Sequence, residues 1–320
     1  MLVLGRRQVE QLLDPDTLVE ALAVAMADLS AGRASVPQRN FALVDRSGLL
    51  AAMPAYLPSQ KALAAKLVLV FGGNSCKGLE THQAVVAVFD PETGVPLALM
   101  DGASITALRT AAGSALATRL CARQDASVLA IIGTGVQARS HARALPRVRH
   151  ITEIIVAGRT PEKVNAFAAE IGATAASTHA EALAAADIVC ACTNATEPVV
   201  RREWLRPGVH VNSVGFTAGP ELDPGAFANA LVVVESRAAV IGEFPNGAVD
   251  LSTAVNQGIL NITDIHEVGE LVQGLRPGRA NDDQITIYRS VGVAAQDAAA
   301  AGLVLEAARV KGVGTTVELH

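Results

Sequence analysis

A short apolar run followed at once by small residues at fixed spacing most constrains the fold of this chain. The run VLAIIGTGVQA begins at Val128 and has the composition of a buried strand that passes directly into a helix. Gly133 allows a tight turn, Gly135 leaves the backbone open to a pyrophosphate, and Ala138 lets the helix pack closely on the strand. A helix that opens at Val136 presents its positive end to phosphates. The stretch therefore predicts a dinucleotide-binding unit.

Strands and helices alternate beyond this unit and predict the fold class. ITEIIVAG, VHVNSVG and ALVVVES are typical of buried strands, and Pro161 to Ile171 is expected to be a helix. Such alternation indicates a Rossmann-type, doubly wound parallel sheet. The region before it contains AAKLVLVF and AVVAVFD, and Pro91 to Gly94 predicts a hairpin turn into VPLALMD. We expect an α/β protein with an additional α+β domain, because the last helix, near 292–310, is expected to return to the first region.

Composition excludes several classes of function. The 320 residues are 50% hydrophobic and 18% charged, which suffices for two domains with a large core. The net charge is −5 with scattered basic residues, so no nucleic-acid partner is expected. No apolar run has the length of a membrane span, and the first residues lack the core of a signal peptide, so we expect a cytoplasmic protein without a membrane partner. The four cysteines and seven histidines lack metal-ligand spacing, and we expect no metal.

The tip of the second predicted strand bears on the choice of nicotinamide cofactor. The strand ends in AGRT, without the acidic residue that binds the ribose 2′-hydroxyl of NAD. Arg159 supplies a guanidinium fork and Thr160 a hydroxyl for a 2′-phosphate, which favours NADP, with NAD as the alternative. Arg159 as a solvated turn residue remains the other interpretation. The nicotinamide half is expected at the carboxyl ends of later strands. The predicted cofactor-binding residues are Gly133, Thr134, Gly135, Val136, Gln137, Ala138, Arg159, Thr160, Thr193, Asn194, Ala195 and Gly215.

Three cations in the first region are candidates for binding an anionic substrate. Arg39 stands at the head of a predicted strand, Lys66 is the only charge in the apolar stretch 62–73, and Arg109 lies in a helix of small residues. A lysine in an apolar strand loses hydration and needs an anionic partner or a lowered pKa. An arginine among alanines has room to bind a carboxylate with two hydrogen bonds. For each cation alone, a structural role remains the alternative.

Longer motifs resemble the ornithine cyclodeaminase/mu-crystallin family over nearly the whole chain. The segment GLETHQAVVAVFDPETGVPLALMDGASITALRTAAGSALAT precedes the GTGVQA loop, and MPAY, ATEPVV and DDQITIYRSVGVAAQDAAAA match as well. The resemblance implies a substrate-binding and dimerisation domain made of residues 1–122 and 294–320. It further implies a Rossmann domain at 123–293 and a homodimer.

The resemblance also implies roles for individual residues. By similarity, Arg39 and Arg109 hold the substrate carboxylate, and Lys66 lies close to the reacting carbon and nitrogen. Thr217 stands where ornithine cyclodeaminases carry an aspartate, and a threonine cannot act as a carboxylate base. The expected catalytic residues are Lys66, Arg39, Arg109 and Thr217, and the expected substrate-binding residues are Arg39, Lys66, Thr81, Arg109 and Met53, with His82 next to this set.

Thr217 favours one activity among those that the resemblance implies. Imine-reducing relatives also lack the aspartate, so we expect an NAD(P)H-dependent oxidoreductase that reduces cyclic ketimine carboxylates. Pyrroline-2-carboxylate and piperideine-2-carboxylate would give L-proline and L-pipecolate. The alternatives are an ornithine cyclodeaminase that forms L-proline and ammonia, an alanine dehydrogenase-like enzyme, and a non-catalytic NADPH-binding protein.

Overall fold

The computed structural model describes residues 1–45, 47–242 and 244–318 and divides the chain into two compact units. Unit 1 comprises Met1–Arg109 and Val293–His320, and unit 2 comprises Thr110–Gly292. The last helix belongs to unit 1. None of the helices in the described ranges combines the length and the apolar composition that a membrane crossing needs.

Strands and helices are numbered along the chain. The strands are β1 (Leu2–Leu4), β2 (Asn40–Val44), β3 (Gly48–Leu57), β4 (Ala62–Val70), β5 (His82–Phe89), β6 (Pro96–Asp101), β7 (Val128–Ile132), β8 (Glu153–Ala157), β9 (Thr174–Ala175), β10 (Ile188–Ala191), β11 (His210–Ser213), β12 (Leu231–Val234), β13 (His266–Glu267), β14 (Thr286–Arg289) and β15 (Thr315–Thr316). The helices are α1 (Arg6–Leu12), α2 (Pro15–Ser30), α3 (Gly102–Cys121), α4 (Val136–Ala144), α5 (Pro161–Ile171), α6 (His179–Ala185), α7 (Arg237–Val240), α8 (Val249–Asn256), α9 (Val268–Val272) and α10 (Ala294–Lys311).

Unit 1 is built on a seven-stranded sheet in the order β15-β1-β6-β5-β4-β3-β2. Neighbouring strands run antiparallel except β1 and β6, which are parallel. The predicted hairpin between β5 and β6 is confirmed, and Asp90 closes it by accepting hydrogen bonds from the amides of Glu92 and Thr93. One face of β3 and β4 packs against α10, which also contacts α2. Because side chains alternate along a strand, every second residue of β4 faces this helix.

Unit 2 is built on an eight-stranded sheet in the order β13-β12-β14-β11-β10-β7-β8-β9. All of its strand pairs run parallel, so the predicted doubly wound α/β fold is confirmed. The chain proceeds from β7 outward through β8 and β9 and then returns to place β10 on the other side of β7. Ligands of such sheets bind outside the carboxyl ends of the strands where the order reverses. The segments that follow β7, β10 and β11 therefore form the edge of interest.

Candidate active site

The glycine loop has the geometry that its sequence predicts. Strand β7 ends at Ile132, and α4 begins at Val136. Gly133 adopts a φ of +117°, and its amide donates a hydrogen bond to the carbonyl of Ala157 at 2.8 Å. A Cβ on Gly133 would lie 2.5 Å from the Cys192 carbonyl oxygen. Glycine is therefore required at this position by the protein's own packing.

Gly135 is not required by that packing. Its φ of −88° suits any residue, and the described chain places no atom within 4 Å of where its Cβ would lie. Gly135 is the N-cap residue of α4, and no side chain caps this helix within the described residues. The amide groups of its first turn can therefore donate hydrogen bonds to another acceptor. The Arg139 guanidinium holds the loop in place, because its Nη1 donates to the Thr134 carbonyl at 2.7 Å and its Nη2 donates to Glu170 at 2.7 Å. The space and the helix end fit a pyrophosphate.

The tip of β8 lies beside this loop. A Cβ on Gly158 would come within 4.0 Å of the Gly133 Cα and 3.2 Å of a Val164 methyl. Arg159 follows with an exposed side chain. Thr160 precedes α5 and makes no capping bond through its hydroxyl within the described part of the chain. A cation and a hydroxyl therefore stand next to the glycine loop, where an adenosine ribose would bind.

Two of the residues predicted for the nicotinamide half, Thr193 and Gly215, bond to the carboxylate of Glu221, a residue that sequence reasoning missed. Glu221 Oε1 accepts hydrogen bonds from the amide and hydroxyl of Thr193 at 2.9 and 2.7 Å. Its Oε2 accepts hydrogen bonds from the Ser213 hydroxyl and the Gly215 amide, both at 2.7 Å. A Cβ on Gly215 would lie 2.5 Å from this carboxyl group, so Gly215 makes room for Glu221. Asn194 is exposed, and the Ala195 amide donates to the Thr193 hydroxyl at 3.2 Å.

Thr217 is placed within the same edge by bonds to the backbone. Its hydroxyl lies 2.8 Å from the Ala195 carbonyl oxygen and 3.1 Å from that of Gly219. A Cβ on Gly219 would approach the Thr196 carbonyl oxygen to 2.2 Å, so the two loops pack closely. The Thr217 hydroxyl thus connects these loops, and it offers no carboxylate for proton abstraction.

In unit 1, two of the three predicted cations share one buried carboxylate. Lys66 Nζ lies 3.0 Å from both oxygens of Asp297 and 3.3 Å from the Thr106 hydroxyl. Arg109 Nε lies 3.1 Å from Asp297 Oδ1, and its Nη1 donates to Gln296 Oε1 at 2.9 Å. Lys66 and Asp297 are 2% and 1% exposed, and Arg109 is 6% exposed. The cluster is consequently shielded from the screening of bulk water.

Lys66 also lies within reach of Arg39. Met53 is directly opposite Lys66 in the β3–β4 register, and Arg39 precedes Asn40, which pairs with Ala52. Burial lowers the pKa of Lys66 to about 8; Asp297 opposes this shift, while the charges of Arg109 and Arg39 add to it. The charges of Arg109 and Arg39 therefore both act on Lys66.

The remaining predicted residues of unit 1 lie at the start of β5. The Thr81 hydroxyl is 3.2 Å from His82 Nδ1, and His82 stands opposite Val70. Partial desolvation lowers the pKa of the His82 ring, although the residue keeps an exposed side, and the nearby Lys66 charge lowers it further. Sequence reasoning missed Asp297 and its neighbour, whose only signal is a Gln-Asp pair in the alanine-rich start of α10.

Comparisons with known proteins agree with this architecture. The model of the ornithine cyclodeaminase/mu-crystallin family matches residues 1–312. A Delta(1)-pyrroline-2-carboxylate reductase of Bacillus cereus is 37% identical and covers 99% of this chain and 100% of its own. The structure of the Thermococcus litoralis Delta(1)-pyrroline-2-carboxylate reductase, in complex with NADH and L-proline, has a TM-score of 0.93 at 37% identity over 99% of this chain and 100% of its own.

A further solved structure is an archaeal alanine dehydrogenase dimer with bound NAD. It has a TM-score of 0.90 at 33% identity and covers 100% of this chain and 99% of its own. The family model and the identities over full length agree with the motifs of the sequence. The chain belongs to the ornithine cyclodeaminase/mu-crystallin family.

Proposed function

We propose that the chain is an NAD(P)H-dependent reductase of cyclic ketimine carboxylates, an oxidoreductase acting on C=N bonds. It reduces pyrroline-2-carboxylate to L-proline and piperideine-2-carboxylate to L-pipecolate. Unit 1 binds the substrate and unit 2 binds the cofactor. The observation that carries this proposal is the buried cation cluster around Asp297, and the names of two relatives, both Delta(1)-pyrroline-2-carboxylate reductases, support it.

The cluster is suited to an anionic substrate. Lys66 and Arg109 are two buried cations that share one carboxylate, so one positive charge is left without a balancing anion among their described partners. An unbalanced buried charge is costly, and a substrate carboxylate offsets that cost on binding. The guanidinium of Arg109 suits a carboxylate because it donates parallel hydrogen bonds. Arg39 adds a third positive charge next to Lys66.

Lys66 is the group that we assign to the imine nitrogen. A bound nicotinamide would supply the hydride. The imine carbon accepts a hydride only when the imine nitrogen carries a proton. With a pKa of about 8, the Lys66 ammonium is charged at neutral pH yet gives up its proton more readily than an exposed lysine. Asp297 keeps that ammonium paired and in place before the substrate arrives.

The proton-donor role predicts a specific pH dependence. Because the pKa of Lys66 is lowered, the side chain is charged below about pH 8 and neutral above it. We expect kcat/KM for imine reduction to fall as the pH rises through about 8. Steady-state rates between pH 6 and pH 10 measure this. In Lys66→Arg, which keeps its charge over that range, the fall near pH 8 should disappear, while a fall caused by titration of the substrate would remain; a wild-type profile without the fall would contradict the role.

NADPH is the proposed cofactor, with NADH as the alternative. Arg159 and Thr160 stand beside the glycine loop, and the strand tip carries no acidic residue. The two solved relatives are named with NADH and NAD, which supports a nicotinamide cofactor in general. The guanidinium favours the additional phosphate of NADPH. We expect kcat/KM to be at least about tenfold higher with NADPH than with NADH, and the reverse ratio would contradict this assignment.

Reductive amination of pyruvate and ornithine cyclodeamination are the alternative activities. The archaeal relative named alanine dehydrogenase makes reductive amination of pyruvate the second candidate, and an assay with pyruvate, ammonium and NADPH tests it. Ornithine cyclodeamination is disfavoured because the Thr217 hydroxyl is engaged with the carbonyls of Ala195 and Gly219. Ammonia release from L-ornithine without net NADH formation would reinstate that activity.

A homodimer is part of the proposal. The face of the unit 1 sheet opposite Lys66 carries Val44, Leu67 and Val85, which are 43%, 40% and 40% exposed. Exposed apolar residues on one sheet face are typical of subunit interfaces, and one solved relative is named as a dimer. Sedimentation of the purified 33.0 kDa chain at micromolar concentration should give twice that mass, whereas a monomer would contradict the proposal.

A further inference from the structure

Glu221 is a buried side chain whose hydrogen bonds all converge from two loops at the carboxyl edge of the unit 2 sheet. It is 1% exposed and accepts from Thr193 after β10 and from Ser213 and Gly215 at the end of β11. The four donors are two backbone amides and two side-chain hydroxyls. An ionised carboxylate has acceptor sites for all four, whereas an amide would turn N–H hydrogens toward two of them.

The backbone of Glu221 is itself held by a second buried group. Asp250 Oδ2 accepts from the amides of Glu221 and Leu222 at 3.2 and 3.1 Å. Arg289 Nε donates to Asp250 Oδ1 at 2.8 Å, and its Nη1 donates to the Gly215 carbonyl at 2.8 Å. Both peptide groups of Gly215 are thus fixed, the amide by Glu221 and the carbonyl by Arg289. The position of this loop is determined by a closed set of buried contacts.

The location of the two loops points to the cofactor. Strand β10 pairs with β7, whose end carries the glycine loop, and β11 pairs with β10 on its other side; all three strands are parallel. We propose that Glu221 is a positioning residue that fixes the Thr193–Ala195 and Gly215 backbone for the nicotinamide end of NADPH. This inference rests on the proposed function. Gly215 supports it, because the missing side chain at that position is what admits the carboxyl group of Glu221.

A second buried glutamate provides a matched control. Glu235 is fully buried and accepts from the Tyr288 hydroxyl at 3.0 Å and from the Gly292 amide at 3.2 Å. It follows β12, which is separated from β7 by β14, β11 and β10 in the sheet. Replacing Glu235 with glutamine therefore removes a comparable carboxylate from the same unit without touching the two loops.

The experiment compares Glu221→Gln and Glu235→Gln with the wild type. Dissociation constants are measured for NADPH by its fluorescence and for 2′,5′-ADP, which lacks the nicotinamide end, by calorimetry. We expect Glu221→Gln to raise the Kd for NADPH at least about tenfold, a change of about 1.4 kcal/mol, and to leave the Kd for 2′,5′-ADP within about twofold. Glu235→Gln should leave both constants within about twofold, although it lowers the melting temperature.

Two results would overturn the inference. Equal weakening of NADPH and 2′,5′-ADP in Glu221→Gln would indicate a general defect of unit 2, and unchanged NADPH affinity would show that the carboxylate is not needed. If Glu221→Gln fails to fold, Ser213→Ala removes one donor and should still weaken NADPH selectively, by about threefold. A wild-type protein that binds neither nucleotide would instead contradict the proposed function itself.

Discussion

Replacing Lys66 with methionine is expected to lower kcat for the reduction of pyrroline-2-carboxylate by about a thousandfold. General acids contribute about 10²–10⁴ to rates, and methionine fills a similar volume without a proton to give. The substitution also removes a buried ammonium that lies 3.0 Å from Asp297. Asp297 keeps its ion pair with Arg109, so the folded state should persist. Steady-state kinetics together with the melting temperature measure both effects.

An exposed lysine of the same unit serves as the control. Lys61 lies in the turn before β4, five positions from Lys66, and its side chain is exposed. Lys61→Met should leave kcat and KM within about twofold of the wild type, since surface substitutions usually have small effects. The affinity for NADPH should be unchanged in both variants, because both residues belong to unit 1. Undiminished turnover in Lys66→Met would contradict the role of Lys66.

Replacing Gly135 with leucine is expected to weaken cofactor binding strongly while leaving the fold intact. Its φ of −88° is compatible with leucine, and within the described residues no atom lies within 4 Å of its Cβ position. The space is therefore free for a side chain, which would then occupy the place assigned to the pyrophosphate. We expect the Kd for NADPH to rise at least about a hundredfold, near 2.7 kcal/mol, with little change in melting temperature. Fluorescence titration and thermal unfolding measure the two effects.

Gly133 provides the contrasting variant two residues earlier. Alanine at Gly133 would have to adopt a φ of +117° and place its Cβ 2.5 Å from the Cys192 carbonyl oxygen. Such strain costs about 1–3 kcal/mol, so Gly133→Ala should lower the melting temperature clearly. Wild-type NADPH affinity in Gly135→Leu would mean that the loop does not bind the nucleotide, whatever Gly133→Ala does.

Features encoded by neighbouring residues were predictable from the sequence. The turn from β7 into α4 follows from two glycines at fixed spacing, and α5 spans Pro161–Ile171 as predicted, with Pro161 in its first turn and Gly172 at its end. The β5–β6 hairpin likewise depends on the few residues between its strands. In each case the competing conformations are decided by local sterics and by apolar periodicity.

The partners of the functional residues were not predictable in this way. Lys66 and Asp297 are separated by 231 positions, and only the return of α10 to unit 1 brings them together. In the sequence, Asp297 is one polar residue near the start of an alanine-rich helix. An acidic side chain is common there because it interacts favourably with the helix dipole. In the sequence, Glu221 is one acidic residue in a loop, because the four groups that donate hydrogen bonds to it belong to other segments. Long-range pairing of buried polar groups is a property of the tertiary fold.

Imine reduction is measured as NADPH oxidation by the purified protein with pyrroline-2-carboxylate. The assay is repeated with NADH, and in parallel with L-ornithine plus NAD. We expect rapid loss of NADPH absorbance, a slower reaction with NADH, stoichiometric formation of L-proline and no ammonia from ornithine. No oxidation of either cofactor, accompanied by ammonia release from ornithine, would contradict the proposal and identify a cyclodeaminase that works with Thr217 in place of the aspartate.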